Sequence, residues 1–447
     1  MTYTILYGLT TFAAQFNSTT MTSNNFLEEM ESLYHLSREC ALLGTALYIL
    51  GIAFGPMMFA PMSEMYGRKV GVFIPFFISS LFTFATSISY NVAGIMVTRF
   101  FAGFFSGAPI VSAGGVLADI WSPGARGAAF GLYACFVSTG PSFGPVLSSL
   151  LISSSSSSES WRIPQWFIGL VDLFMIALCL STLEETYEPV ILSWRARDRR
   201  LDSKQWNIHS LHDTWKFDLR ETVSVHLIRP FAMLATPIVF LMALYASYVY
   251  GLFYLIITNV PEAFFLTKGW EGTQGTLPLI SLFLGVVTGS IFNMLWARRY
   301  AQIIDRSSDK TIPEQRLPIM MMAGWLMPVG IFIFGWTCNA KIHWIAPCIG
   351  IAFIGAGFIT IFQGSINYLV DSFTKYSASA IAANTFLRSV FAASFPLFAK
   401  QLFVNLQVSW GSSLIGFIAL GMIPIPFFFF KYGRKIRAKN PYSNRVS

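Results

Sequence analysis

Long apolar runs alternate with short polar joints along nearly the whole chain. The first covers 1–22 and carries Gln15 and Asn17 inside it; a polar, acidic loop over 24–40 separates it from a second run over 41–62. Further runs cover 71–89, 92–117, 128–152 and 161–183. A hydrophilic stretch over 184–229 is the one place where charges of both signs are dense, and six more runs follow it, at 234–257, 273–296, 317–336, 344–370, 380–406 and 412–430. About 20 apolar residues suffice to cross a hydrocarbon core of roughly 30 Å as a helix. The pattern therefore predicts an all-α membrane protein of twelve transmembrane helices in two six-helix halves, over 1–183 and 230–430, joined by a central cytoplasmic linker over 184–229 and closed by a basic cytoplasmic tail over 431–447.

Composition agrees. Hydrophobic residues make up 54% of the chain and charged residues 12%, against about 25% charged in ordinary soluble domains, which excludes a soluble fold. The first run lacks a basic leading region, so it reads as a span and not as a signal peptide. The net charge of +8 is topological: Arg38, Lys268 and Lys341 fall in outer loops, Arg99, Arg162, Arg388 and Lys400 within or at the ends of spans, and the other 23 of the 30 basic residues in alternate, inner loops. Under the positive-inside rule both termini are then cytoplasmic, and no nucleic-acid partner is implied. The five cysteines have no metal spacing, although a bond between Cys40 and Cys338 is geometrically conceivable, and the five histidines lie in loops without an HxxxH or HExxH pair. Neither a metal, a cofactor nor a membrane-embedded enzyme is expected.

The joint between the second and third runs, 55–69, reads GPMMFAPMSEMYGRK. Pro61 interrupts the helical ladder, which predicts a helix end near Met62, and Gly67 permits a tight turn before Arg68 and Lys69. This spacing resembles the loop signature between the second and third helices of the major facilitator superfamily, in the form carried by fungal twelve-span drug:proton antiporters. The resemblance extends over nearly the whole chain through Arg99 with Gly103 and Gly107, the segment GLYACFVSTGPSFGP at 131–145, Glu185-Thr186-Tyr187, Arg229-Pro230-Phe231, Pro313-Glu314-Gln315-Arg316 and Tyr368-Leu369-Val370-Asp371.

Three constellations carry the expected mechanism. Gly55, Glu64, Gly67, Arg68 and Lys69, with Asp119 and Arg126 of the next cytoplasmic loop, form a candidate conformational latch, in which the acids Glu64 and Asp119 and the bases Arg68 and Arg126 pair only while their helices keep register; the plainer reading is a loop anchored at the interface. The resemblance adds a contact with the N-terminus of the eleventh helix, near Ser377 or Ser379, whose dipole is positive there. Arg99 lies near the middle of the fourth run, where burial costs at least about 2.5 kcal/mol; the resemblance assigns it to proton coupling, against the plainer alternative of an arginine satisfied by backbone carbonyls. Asp172, the one central carboxylate, is a second proton-coupling candidate if it faces inward. Gly131, Gly140, Pro141, Gly144 and Pro145 resemble the antiporter motif of exporters, and Gly285 and Gly289 on the eighth span are its expected packing partner.

Carriers of this fold bind cargo near the bilayer midplane, between halves. Gln15, Asn17, Tyr245, Tyr248, Tyr254, Gln363, Asn367 and Asn384 are the candidate lining, with packing or interfacial belts as the competing explanation for the tyrosines. The expected function is proton-coupled export of small, mostly apolar organic molecules, drugs or fungal secondary metabolites, by a monomer in the plasma membrane, or in a vacuolar or vesicular one. An uptake permease or polyamine transporter is the alternative, and the scarcity of midplane acids speaks against polycations.

Overall fold

In hydrocarbon a backbone satisfies its own hydrogen bonds most simply as a helix, and the described residues form helices and no strand. The computed structural model describes residues 1–121, 123–155, 159–210, 227–306, 313–373, 376–440 and 442, without the side chains at 123–126, 300–306 and 439. The helices are α1 (Thr2–Ser18), α2 (Asn24–Tyr34), α3 (Arg38–Met65), α4 (Arg68–Ile88), α5 (Val92–Ile120), α6 (Pro123–Ser153), α7 (Arg162–Thr182), α8 (Glu188–Ser203), α9 (Arg229–Leu234), α10 (Pro237–Lys268), α11 (Gly272–Thr276), α12 (Leu279–Arg306), α13 (Leu317–Thr337), α14 (Ile345–Ser372), α15 (Ser377–Met422) and α16 (Pro424–Lys439). Ten stretches among the described residues are long and apolar enough to cross a membrane. The last of these, Ser377–Ala438, is broken at Gln407, whose φ of 59° leaves the helical region; the eleventh and twelfth apolar runs lie on either side of that break. At 17 residues, α1 is too short to count among the ten.

Two local expectations are corrected. The acidic segment after α1 is not a loop throughout: α2 forms there because Ser23 accepts from the Phe26 N–H at 3.4 Å as N-cap, and because Phe26, Leu27 and Met30 bury one face. Its glutamates disguise that short apolar stripe. Nor does Pro61 end α3, which contains both Pro56 and Pro61 and continues to Met65. The chain turns at Gly67, where φ is +92°, a conformation that only glycine adopts without strain.

The same close packing occurs twice. Gly51 and Gly55 of α3 lie against the Phe100 and Phe104 carbonyls of α5, and Gly285 and Gly289 of α12 lie against Ala352 and Ala356 of α14. Each pair is displaced by one constant interval along the chain, and the absence of a Cβ brings backbone to backbone in both places. α1 and α3–α7 form one group of helices; α10 and α12–α16 form another. The largest apolar core belongs mainly to the second group but reaches Ala46 and Ile49 of α3 and Val146 of α6. All five cysteines are free; Cys40 is exposed and Cys338 is buried.

Candidate functional site

At the end of the bundle that carries Gly67, Arg68 is the hub. Its Nε donates to Asp119 Oδ2 at 3.1 Å and its Nη1 to Ser63 Oγ at 2.9 Å, and its guanidinium lies 4.8 Å from the Tyr187 ring centroid. Glu185 completes the arrangement. Its carboxylate accepts the first N–H groups of α4, from Arg68 at 2.8 Å and Lys69 at 2.9 Å, and also those of Thr186 and Tyr187. An anion at a helix N-terminus satisfies orphan donors and opposes the positive dipole end. Burial first, and then the charge of Glu64, push the Tyr187 phenol above its ordinary value, with Arg68 opposing.

Of the expected latch, then, Arg68 and Asp119 pair, and Glu185 joins them. Lys69 donates instead to the Leu180 carbonyl at 3.0 Å. Glu64 is exposed and has no ion pair among the described residues. The side chain of Arg126 lies outside the described residues. Gly55 is spent on α5 packing, within the first helix group. The expected start of α15 at Ser377 holds, but its N-cap is Tyr376 and no side chain caps it. A related pair occurs in the second group, where Arg316 Nε donates to Asp371 Oδ2 at 2.9 Å and Arg437 of α16 grips both oxygens of Glu314 at 2.6 and 2.8 Å.

Arg99 sits two turns into α5 and not at its middle. It is fully buried, and its bonds are mostly to side chain and backbone of one residue: Nη1 donates to Asn17 Oδ1 at 2.7 Å and Nη2 to the Asn17 carbonyl at 3.0 Å, with longer contacts to Gln165 and to the Gly44 carbonyl. The guanidinium also stands 4.6 Å from the Tyr48 ring centroid. Asn17 Nδ2 donates to Thr83 at 2.9 Å, so Asn17 is occupied inside the first group. Asp172 of α7 is fully buried near Tyr48, and neither of its oxygens has a hydrogen-bond partner. It faces protein, not lipid.

The glycines of α6 divide their work. Gly140 lies on the Phe12 carbonyl and the Phe16 N–H of α1, and Gly144 on Thr19 and the Phe16 carbonyl. Pro145 has no N–H to offer Pro141, and the freed Pro141 carbonyl accepts from the Thr19 hydroxyl at 2.8 Å; the motif builds a close α1–α6 seam. Gly285 and Gly289 are not its partner, because α14 occupies them. Within the motif it is Gly131 that points across to α12, where an added Cβ would lie 2.8 Å from Met294; one turn earlier Gly127 faces Ala297 of the same helix.

Between the groups, Tyr254 Oη is 3.0 Å from Ser18 Oγ and donates to Gln15 Oε1 at 3.4 Å. Beside it, Tyr250 packs on Tyr254, Phe358 and Phe362. Arg388 of α15 reaches this cluster, its guanidinium 4.9 Å from the Tyr250 centroid and 4.8 Å from that of Phe362. Gln15 Nε2, Gln363 Oε1 and Asn384 Oδ1 are buried here without a hydrogen-bond partner, an exceptional state for polar atoms. Gln363 looks toward Gly131 of α6, and Asn384 precedes Arg388 by one turn. Asn367 is half-buried. Tyr245 and Tyr248 turn away from this centre: the Tyr245 hydroxyl is near Gly324 of α13, and that of Tyr248 donates to the Ile415 carbonyl at 2.6 Å. Arg388, Tyr250 and Glu185 are the residues that motif reading missed as site members. A lone arginine inside the run 380–406 was the available signal.

Polar bonds between the groups lie at the centre and at the end carrying α2. Arg38 pairs with Glu262 at 2.7 Å, Gln401 donates to Glu39 at 2.9 Å, and Thr273 meets Ser149 and Ser153. At the Gly67 end, no such bond is found among the described residues.

Two helix groups, each tied internally by charge and meeting around a central polar cluster, define a multi-pass membrane carrier fold. The family model of the Major Facilitator Superfamily matches residues 7–396. The multidrug transporter FLU1 of Candida albicans is 36% identical over 419 residues, covering 93% of this chain and 68% of that protein. The efflux pump bik6 of Gibberella fujikuroi is 36% identical over 441 residues, 98% of this chain and 90% of that one. In three dimensions the proton:xylose symporter XylE superposes with a TM-score of 0.61 at 14% identity, over 96% of this chain and 95% of that one. The chain belongs to the major facilitator superfamily, whose members here are transporters and not enzymes.

Proposed function

We propose that this protein is a proton-coupled exporter of small, mostly apolar organic molecules, working by alternating access between halves 1–183 and 230–430. The observation that carries it is the one-sided closure among the described residues: ion pairs and hydrogen bonds join the groups at the α2 end and centre, while the described ion pairs at the Gly67 end each lie within one group. With the basic loops cytoplasmic, this is an inward-facing carrier whose central cluster is approached from the cell interior. Both termini and the linker over 184–229 are then cytoplasmic, and α1 together with the two sides of the Gln407 break brings the number of passes to twelve. The relatives named a multidrug transporter and an efflux pump support export, and the plasma membrane is the site of action for a monomer that releases cargo outside.

Proton coupling falls to Asp172, the unpaired buried acid, with Arg99 setting the field around Tyr48 between them. Arg68, Asp119 and Glu185 hold α4, α5 and the segment after α7 as one body, so that this half moves without deforming. Gln15, Tyr254, Gln363 and Asn384 line the cargo site, and Asn17 serves Arg99. The test is efflux of a panel of neutral, cationic and anionic fluorescent dyes from cells expressing the chain, with and without a protonophore. Export that collapses with the proton gradient is expected. Accumulation of dye above the level of control cells would overturn the direction assigned, and export indifferent to the protonophore would overturn the coupling.

A further inference from the structure

Arg388 is a buried arginine that no acid among the described residues pairs with. It is 6% exposed, it makes no ion pair among the described residues, and its Nε has no hydrogen-bond partner. Among α10, α13, α14 and α15 the acids are Glu262 and Asp371, and these are held by Arg38 and Arg316 at opposite ends of the bundle. Arg99, the other intramembrane arginine, differs: its fork is taken up by Asn17. Arg388 stands about 17 Å into its helix, counted at 1.5 Å per residue from Ser377, where an uncompensated cation is expensive. The faces of Tyr250 and Phe362 lie against it, which favours a cation but leaves the in-plane Nε–H unspent, and the Tyr133 and Tyr254 phenols stand close enough to feel its charge.

We propose that Arg388 is the anion-recognising residue of the central site, and that the cargo class is an apolar, aromatic organic acid carried as its carboxylate. The inference rests on the carrier reading and names the chemistry of its cargo. A carboxylate matches the guanidinium fork in two parallel hydrogen bonds, while Tyr250 and Phe362, already packed against that fork, flank the apolar body next to it. Asn384 and Gln363 supply unspent amide groups for further polar atoms on the cargo. Cationic cargo would meet Arg388 with like charge and find no acid in these helices to offset it, which removes polyamines from the set.

The test uses the full chain purified in lipid nanodiscs and a matched pair of probes, 2-naphthoate and 2-naphthamide, with protein-free nanodiscs as the partition control. The wild type is expected to bind the carboxylate roughly 10- to 100-fold more tightly than the amide, the range of one charge-assisted hydrogen-bond pair. Equal binding, or preference for the amide, overturns the proposal without recourse to any variant. Arg388→Gln is expected to erase the preference and Arg388→Lys to keep its sign at reduced size, since lysine retains charge but not the fork. A preference that persists undiminished in Arg388→Gln would assign anion recognition elsewhere and so refute the role of this residue. If Arg388→Gln fails to fold, the lysine variant decides, because loss of the fork must shrink the preference. A carboxylate preference in a chain that exports no dye would sink the export reading and leave this one standing; dye export without that preference would do the reverse.

Discussion

Replacing Arg99 with lysine separates an architectural role from a coupling one. The guanidinium now makes two short hydrogen bonds to Asn17, at 2.7 and 3.0 Å, and covers the Tyr48 ring at 4.6 Å. A lysine ammonium retains the charge and one of those bonds at best. The loss is then one charged hydrogen bond, about 1.5 to 3 kcal/mol, and one desolvated cation–π contact, about 1 to 2 kcal/mol. The sum, roughly 2.5 to 5 kcal/mol, falls on the union of α1 with α5, because Asn17 belongs to the first and Arg99 to the second. Purified Arg99→Lys should therefore melt a few degrees below wild type, and adding Asn17→Ala should cost little more, since the two residues share the same bonds. Proton-driven dye efflux at a series of external pH values supplies the second readout. A coupling role requires the pH profile to shift as well as the yield of folded protein to fall. A variant that melts with wild type would refute the bond count; one that melts low but keeps the wild-type pH profile would reduce Arg99 to architecture.

Asp172→Asn removes a buried carboxylate with no hydrogen-bond partner on either oxygen, so the variant should melt no lower than wild type while efflux loses its dependence on the proton gradient; retained proton-driven export would dismiss Asp172. Gly67→Ala places a side chain at φ +92° and against the Glu185 carboxylate, and should cost about 1 to 3 kcal/mol, read as a lower melting midpoint. Glu185→Ala uncaps α4 and should cost about 1 to 2 kcal/mol; an unchanged midpoint would show that water replaces it without loss. Gly144→Ala should open the α1–α6 seam by pushing on Thr19 and the Phe16 carbonyl, and unimpaired export in that variant would show that the seam tolerates a methyl group.

Membrane helices announce themselves because hydrocarbon demands long apolar runs, and the charged loop around Gly67 was legible because glycine, proline and paired charges crowd into few residues. What side chains face is a different matter. Tyr245, Tyr248 and Tyr254 share one helix and one composition, yet only Tyr254 reaches the first helix group, with Gln15 and Ser18; a helix that is 83% buried over its most apolar window offers no polar face from which direction can be read. The partner of the α6 glycines escaped for the same reason: small residues permit approach by any helix, and α1 holds the position because Thr19 satisfies the carbonyl that Pro145 leaves free. Glu185 was visible as part of a motif, but its service to the Arg68 and Lys69 N–H groups depends on a meeting across more than a hundred residues.

The placement of charge relative to the two helix groups bears on how such a chain can move. Ion pairs internal to a group, Arg68 with Asp119 and Arg316 with Asp371, occupy corresponding places: each joins the start of one long helix to the end of the next. The closing stretch of each group is then fastened near the same place with opposite sign, by the Glu185 carboxylate just after α7 on N–H donors in the first and by the Arg437 guanidinium near the end of α16 on Glu314 in the second. These contacts need not break when the groups tilt. The bonds that must break are those between groups, and among the described residues at the α2 end they comprise one ion pair, Arg38 with Glu262, and a few neutral or single-charge hydrogen bonds. The Arg38 and Glu262 side chains are mostly buried, so the desolvation they suffer offsets much of their attraction, and closure at that end is weakly held and within reach of the differential binding energy of a proton or a cargo molecule. Rigid bodies with strong internal fastening and a lightly tied seam are what a rocking carrier requires, and Glu262→Gln should accordingly raise the fraction of molecules open at the α2 end, read as faster labelling of a cysteine placed in the central site from the outer side; labelling at the wild-type rate would mean that the seam is held by apolar contact instead.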